Sequence, residues 1–264
     1  MSMQHQPFSP PPAEPGEAAS CRRCGTCCLR GGPTLMVSDT ALLVSGTLTL
    51  DALVCLRAGE WARDDSRKAL RPLEGERIKI AGPGGRVHPW RCLYYREGVG
   101  CGIYHQRPAQ CEALFCMDTG PLEVLLAKGR HMGRFAALNV LSAGIPGFSN
   151  LSAQVIAILP DLVSAHEEQV SVRETLERAD RLGYYPAQGH GLAVERTAGH
   201  ETPLEGSERE QAVAEQGEAA RTDAAFRELC VERGGIPASI LPFLLGRSIK
   251  DLLAEVGLKP AVGR

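Results

Sequence analysis

Eight cysteines gathered in two short windows constrain this 264-residue chain more than any other feature. The first window reads Cys21-Arg-Arg-Cys24-Gly-Thr-Cys27-Cys28. The second spaces Cys92, Cys101, Cys111 and Cys116 over a longer stretch. Cys55 and Cys230 stand alone and read as small buried hydrophobes. Disulfide frameworks belong to secreted chains, usually short ones. Residues 1–20 carry neither the basic segment nor the apolar run of a secretory signal. A cytoplasmic location is therefore expected, where thiols stay reduced and available as ligands.

A C-x2-C loop lets two thiolates converge on one centre, and Gly25 relaxes the turn between Cys24 and Cys27. Two such steps in tandem open the ferredoxin pattern, but Gly31-Gly32-Pro33 stands where its fourth cysteine belongs. Cys28 follows Cys27 directly. It reaches a second centre, or supplies a fourth sulfur through a strongly bent chain. In the second window, Cys92 and Cys101 are expected at the two ends of a hairpin around Arg96-Glu97-Gly98. Pro108 suits the first position of a helix, with Cys111 one turn in and Cys116 near its end. Amides of that helix start would favour a thiolate at Cys111. Eight thiols permit two tetrahedral zinc sites of four cysteines each. They equally permit one four-cysteine iron–sulfur cluster, such as [4Fe-4S], beside a second site. Spacing leaves zinc or iron open.

The run C-x2-C-x2-C-C, followed by Cys92, Cys101-x-x-Tyr104-x-x-Arg107-Pro108-x-x-Cys111-x4-Cys116, resembles the YkgJ-type cysteine-cluster family. That family is described as zinc- or iron-chelating. The resemblance covers about residues 21–120, and it implies that the eight cysteines are the chelating set and that Arg107 belongs to the motif. One larger relative, the flagellin lysine-N-methylase, carries a similar cysteine domain. Nothing else in this chain maps to that enzyme.

Arg107 can offset the charge of cysteine sulfurs, bind a carboxylate or phosphate, or pair with a glutamate. Tyr104 reads as packing. His88 and His105 flank the second group as substitute ligands, and Arg22 and Arg23 read mainly as solvated loop charges. The net charge of −2 gives no reason to expect nucleic acid or an anionic membrane as partner, and a protein partner stays open. Residues 135–160 lack charge, but Gly144-Ile145-Pro146-Gly147 interrupts them. They are expected to form two core helices joined by a turn and not a membrane span.

The expected fold is α+β and mainly helical, with a small irregular cysteine-rich metal-binding lobe carrying a few short strands. Residues 1–20 read as a disordered tail, 21–120 as the chelating domain, 121–185 as a helical part packed on it, 186–206 as a linker or long loop, and 207–264 as a C-terminal helical segment. Within these, 38–58 is expected to be helical with a break near Ser45-Gly46, Arg77–Ala81 a short strand, and Leu122, Leu125, Leu126, Met132, Ala136 and Val140 roughly one helical face. Ser171, Ser207 and Ser248 are expected to cap helices. The expected function is metal or iron–sulfur cluster binding, with a metal- or cluster-dependent enzyme, acting on a protein, as the alternative.

Overall fold

Leu53-Val-Cys-Leu56 is an unbroken apolar run, and all four side chains are buried. It forms strand β1 (Leu53–Leu56), antiparallel to β4 (Arg77–Ile80), with Cys55 opposite Ile78. The expectation of helix over 38–58 is thus corrected in its second half. A short, fully buried run fits a strand as well as a core helix. Only Thr40–Val44 is α-helical there (α2). The computed structural model describes residues 21, 23–64, 67–84, 88–142, 151–186, 192–196 and 203–259. It is 51% helix and 13% strand in small sheets, a mainly helical α+β fold. The proposed tail 1–20 and the turn near Gly144 lie outside the described residues.

Two further sheets complete the strands. Strands β2 (Trp61–Asp64) and β3 (Ala69–Pro72) pair antiparallel, and β7 (Ala193–Val194) joins β3 in parallel. The stretch read as a linker therefore adds a strand, and Leu192 and Leu204 on it are buried. Strands β5 (Tyr95–Arg96) and β6 (Gly100–Cys101) form a hairpin around Gly98, which takes φ 75°, with Cys101 in it as expected but Cys92 ahead of β5 and not at its end.

The first cysteine window forms α1 (Thr26–Arg30), and the second leads into α3 (Ala109–Ala113). The helical face expected from Leu122 to Val140 is two helices, α4 (Gly120–Lys128) and α5 (Arg134–Ser142). Gly129 separates them, where a β-carbon would lie 2.4 Å from the Leu125 carbonyl and from Met36. After it the chain extends along residues 35–37, with Val37 N–H on Arg130 O and Met132 N–H on Leu35 O.

Helix α6 (Ala153–Gln169) is capped by Ser152, and α7 (Val172–Arg181) by Ser171, as its S-x-x-E sequence predicts. Ser207 is not a cap, because α8 (Gly206–Glu232) begins one residue earlier, with Glu205 before it. Helix α9 (Leu241–Leu245) packs on β1, and Ser248 caps α10 (Ile249–Glu255). No described helix is long and apolar enough to cross a membrane.

One core gathers Leu35, Leu53, Ile78, Leu159 and Phe243, so the C-terminal segment and the β1–β4 pair share it. Cys92 belongs to this core, and Cys28, Tyr94, Tyr95 and Ile103 pack against it. A second core joins α7, α8 and α10 through Leu176, Ala212 and Leu252. The cysteine lobe thus leans on the first core at Cys92.

Candidate metal centre

Several of the cysteines are placed by nearby backbone hydrogen bonds and turns. Gly25 takes φ 78°, and a β-carbon on it would stand 2.4 Å from the Tyr95 ring. Only glycine lets the turn close beneath that ring before α1 begins. Leu29 N–H then donates to Gly25 O and Gly31 N–H to Cys27 O, which fixes the turn bearing Cys27 and Cys28. Cys92 N–H donates to Cys28 O at 2.8 Å, and Tyr95 N–H to Cys92 O at 2.9 Å. Cys101 stands opposite Tyr95 in the hairpin.

Helix α3, which carries Cys111, is pinned from a distant segment. The buried Asp39 carboxylate accepts from Ala109 N–H at 2.7 Å and from Met36 N–H at 2.8 Å. Gln110 exchanges hydrogen bonds with Thr34. Pro108 stands just before the helix as its cap residue, not inside it as expected. Cys116 lies beyond the helix, which ends at Ala113, and is exposed.

All eight thiols are free. Cys27 Sγ and Cys28 Sγ are 3.9 Å apart. A tetrahedral thiolate site with metal–sulfur bonds of about 2.3 Å has sulfurs about 3.8 Å apart, a spacing these two thiols match whether they share one centre or stand at the border of two. The Cys28 thiol shares its proton with Cys27, which holds Cys27 down at about 6 and pushes Cys28 up.

The electrostatic neighbours sort the remaining sulfurs. Cys28 feels Cys27, Cys92 and Cys101; Cys111 feels Cys92, Cys27 and Cys101. Cys116 instead feels Cys27, Cys24 and Cys21. The outer group is the more open, since Cys24 and Cys116 are exposed and Cys92 is buried. Among the described residues, no three His, Cys, Asp or Glu side chains close on one point at metal-binding spacing. The donor set itself, eight free thiols, has the chemistry of zinc or iron–sulfur ligation.

No family model, curated protein or solved structure matches the chain.

One expectation about charge is corrected. Helix amides do not lower Cys111. Burial pushes it up to about 12, and the neighbouring cysteine charges add to this against a smaller opposing effect of Arg107. Cys24 is lowered, and the first cause is the Thr26 hydroxyl at 3.3 Å, a residue the sequence reading passed over. Arg22 lies outside the described residues.

Arg107 does not take the glutamate partner that its sequence context allowed. Its guanidinium stacks 4.1 Å from the Tyr104 ring centroid, and Arg23 stacks on the same ring at 3.8 Å. Neither has a carboxylate partner among the described residues. Arg107 lowers both Cys27 and Cys111, so its positive charge acts on the sulfurs. His105 stacks edge-on against Tyr104.

Sequence reasoning missed a buried charged network away from the sulfurs. Glu60, fully buried, accepts from Arg57 Nε at 2.9 Å and from Arg247 Nη2 at 2.9 Å. Asp223 accepts from His166 Nε2 at 2.8 Å, from Arg227 and from Ile249 N–H. Its only signals in the sequence are the i,i+3 spacing of Arg57 and Glu60 and the i,i+4 spacing of Asp223 and Arg227.

Proposed function

We propose that the chain binds zinc or an iron–sulfur cluster through its two cysteine groups, in a cytoplasmic setting. The observation that carries this reading is the joining of the two cysteine groups by the Cys92 N–H bond to Cys28 O, with Cys92 and Cys101 near enough to act electrostatically on both Cys28 and Cys111. Free thiols gathered against an arginine that stabilises their charge are what a metal or cluster requires, since ligands bind as thiolates. The resemblance to the YkgJ-type chelating family supports the same assignment. Two sets follow: Cys28, Cys92, Cys101 and Cys111 inside, and Cys21, Cys24, Cys27 and Cys116 outside. Arg107 offsets the negative charge of the loaded sulfurs. A metal- or cluster-dependent enzyme draws support from the exposure of Cys24 and Cys116, which leaves the outer set accessible to an exchanging ligand.

Protein purified without oxygen and analysed for metals, acid-labile sulfide and visible absorption tests the proposal. Bound iron with sulfide selects the cluster, and colourless protein with zinc selects thiolate sites. Metal-free protein that stays compact in chelator refutes it.

A further inference from the structure

Arg23 lies between Cys21 and Cys24, in a backbone conformation that side chains resist. Its φ is 52°, in the left-handed region where a β-carbon crowds the following carbonyl. Asparagine and aspartate offset that cost with local hydrogen bonds, and arginine has none to offer. Such a residue persists where its surroundings fix it. Among the described residues, no backbone hydrogen bond ties residues 21, 23 or 24 to the second cysteine group. What fixes Arg23 is its side chain and the close fit around it. Gly100 of the hairpin passes so near that a β-carbon there would stand 3.2 Å from the Arg23 carbonyl oxygen.

The Arg23 guanidinium stands 3.8 Å from the Tyr104 ring centroid, and that of Arg107 stands 4.1 Å from the same centroid. Two planar guanidiniums this close to one centroid are too wide to share a face, so they cover opposite faces. The ring is negative on both faces and attracts both cations. Arg23 is exposed, and Tyr104 and Arg107 are half-buried. An exposed arginine that gives up its rotamer freedom to lie on a ring anchors its own backbone. The stack also spans the two groups, since Arg23 belongs to the first and Arg107 leads into the helix of Cys111.

We propose that Tyr104 is a positioning residue for the outer sulfur set: its two faces hold Arg23 and Arg107 and so fix the loop that bears Cys21 and Cys24. The purpose of the stack rests on the metal reading, while the stack itself does not. Without the ring, Arg23 relaxes out of its left-handed conformation, and Cys21 swings relative to Cys24. The loop then presents both sulfurs to one centre for only a fraction of the time. Affinity for a metal falls by that fraction.

Limited trypsin digestion of the full chain as purified, and zinc titration in competition with a chromophoric chelator, test this. Trypsin must draw the arginine side chain into its specificity pocket, so cleavage between Arg23 and Cys24, read by mass spectrometry, reports release of Arg23. Tyr104→Leu should speed that cleavage at least tenfold. Tyr104→Phe, which keeps both ring faces, should match the parent. Tyr104→Leu and Arg23→Gln should each weaken one bound zinc at least tenfold and leave the other unchanged. The double variant should be no weaker than either single one, because both break the same contact. Arg23 is exposed, so its variant decides the matter if Tyr104→Leu does not fold. A parent chain that binds no zinc refutes the metal reading, and the cleavage rates still decide the stack. Cleavage after Arg23 as fast in the parent as in Tyr104→Leu, Tyr104→Phe as damaging as Tyr104→Leu, zinc held as tightly by Arg23→Gln as by the parent, or additive losses in the double variant overturn the inference.

Discussion

The amide of Cys92 donates to the carbonyl oxygen of Cys28 at 2.8 Å, and this bond joins the two cysteine groups. Cys28 sits at the end of the first group, against the core that buries Cys92. Its neighbour Cys27 faces Cys116 and Cys24 as well as the inner sulfurs. In the proposed arrangement the doubled cysteine is therefore the seam between the inner and the outer sulfur set.

If each set holds one zinc, single substitutions empty one site at a time. Cys111→Ala or Cys92→Ala should leave the outer metal, and Cys24→Ala or Cys116→Ala the inner one. Each variant should lose about half of the bound metal by elemental analysis. Cys230→Ala, remote in the first core, should lose none. Complete loss from any single substitution in either set would mean that all eight sulfurs serve one shared cluster.

What was legible in the sequence was local. The hairpin around Gly98, the caps at Ser171 and Ser248 and the strand Arg77–Ile80 all follow from neighbours within a few residues. The clustering of the thiols was equally visible, because C-x2-C spacing is itself a local device. Two kinds of feature were not. Residues 53–56 have no polar position to set a period, so strand and helix look alike until Ile78 and Ile80 stand beside them. The clamp from Asp39 to Ala109 and the bonds from Arg247 to Glu60 join residues far apart in the chain, and no spacing announces them. The pKa of Cys111 failed for a related reason. The amide effect is readable from position, while burial depends on what folds over it.

Asp39 positions Cys111 without touching it. Its two carboxylate oxygens hold Ala109 N–H and Met36 N–H, and hydrogen bonds to a charged group contribute about 1.5–3 kcal/mol each. Asp39→Ala should destabilise the chain by about 2–3 kcal/mol in chemical denaturation and lower the metal retained by the inner set. Asp39→Asn, which keeps one acceptor oxygen, should lose less of both. Full retention of metal in the alanine variant would show that α3 holds its place without this clamp.

Thr26 makes Cys24 the more reactive of the exposed outer thiols. The hydroxyl hydrogen bond favours the thiolate, and the thiolate is the nucleophile. In metal-free protein, Thr26→Val should raise the Cys24 pKa and slow its alkylation by iodoacetamide near neutral pH several-fold. Thr26→Ser should preserve the rate. Cys116, raised first by its partial burial, should alkylate more slowly than Cys24 in the parent protein.

Acid should destabilise the fold in two stages, and the first belongs to the histidines. Burial, helped by Arg77, lowers His131 to about 4, and burial lowers His166. A histidine lowered in the folded state binds its proton more readily when unfolded, near its ordinary value of about 6.5. Stability from this source is complete above about pH 6.5 and declines as the pH falls toward 4. Asp223 extends the loss below that range. Burial would raise it, but the hydrogen bonds from His166 and Arg227 outweigh burial and hold it at about 2, so its contribution is lost between about 4 and 2. Asp39, raised by burial, works in the opposite direction, since its protonation favours the folded state. The net expectation is a melting temperature that is flat above pH 7 and falls between 6.5 and 4. Metal release in acid adds to that fall, so the informative comparison is between variants. His131→Phe removes both the titration and a buried Nδ1 that has no partner among the described residues, while leaving the sulfurs in place. Its melting temperature should fall less steeply between pH 6.5 and 4 than the parent's. Equal slopes would assign the acid loss in that range to the sulfurs and His166 alone.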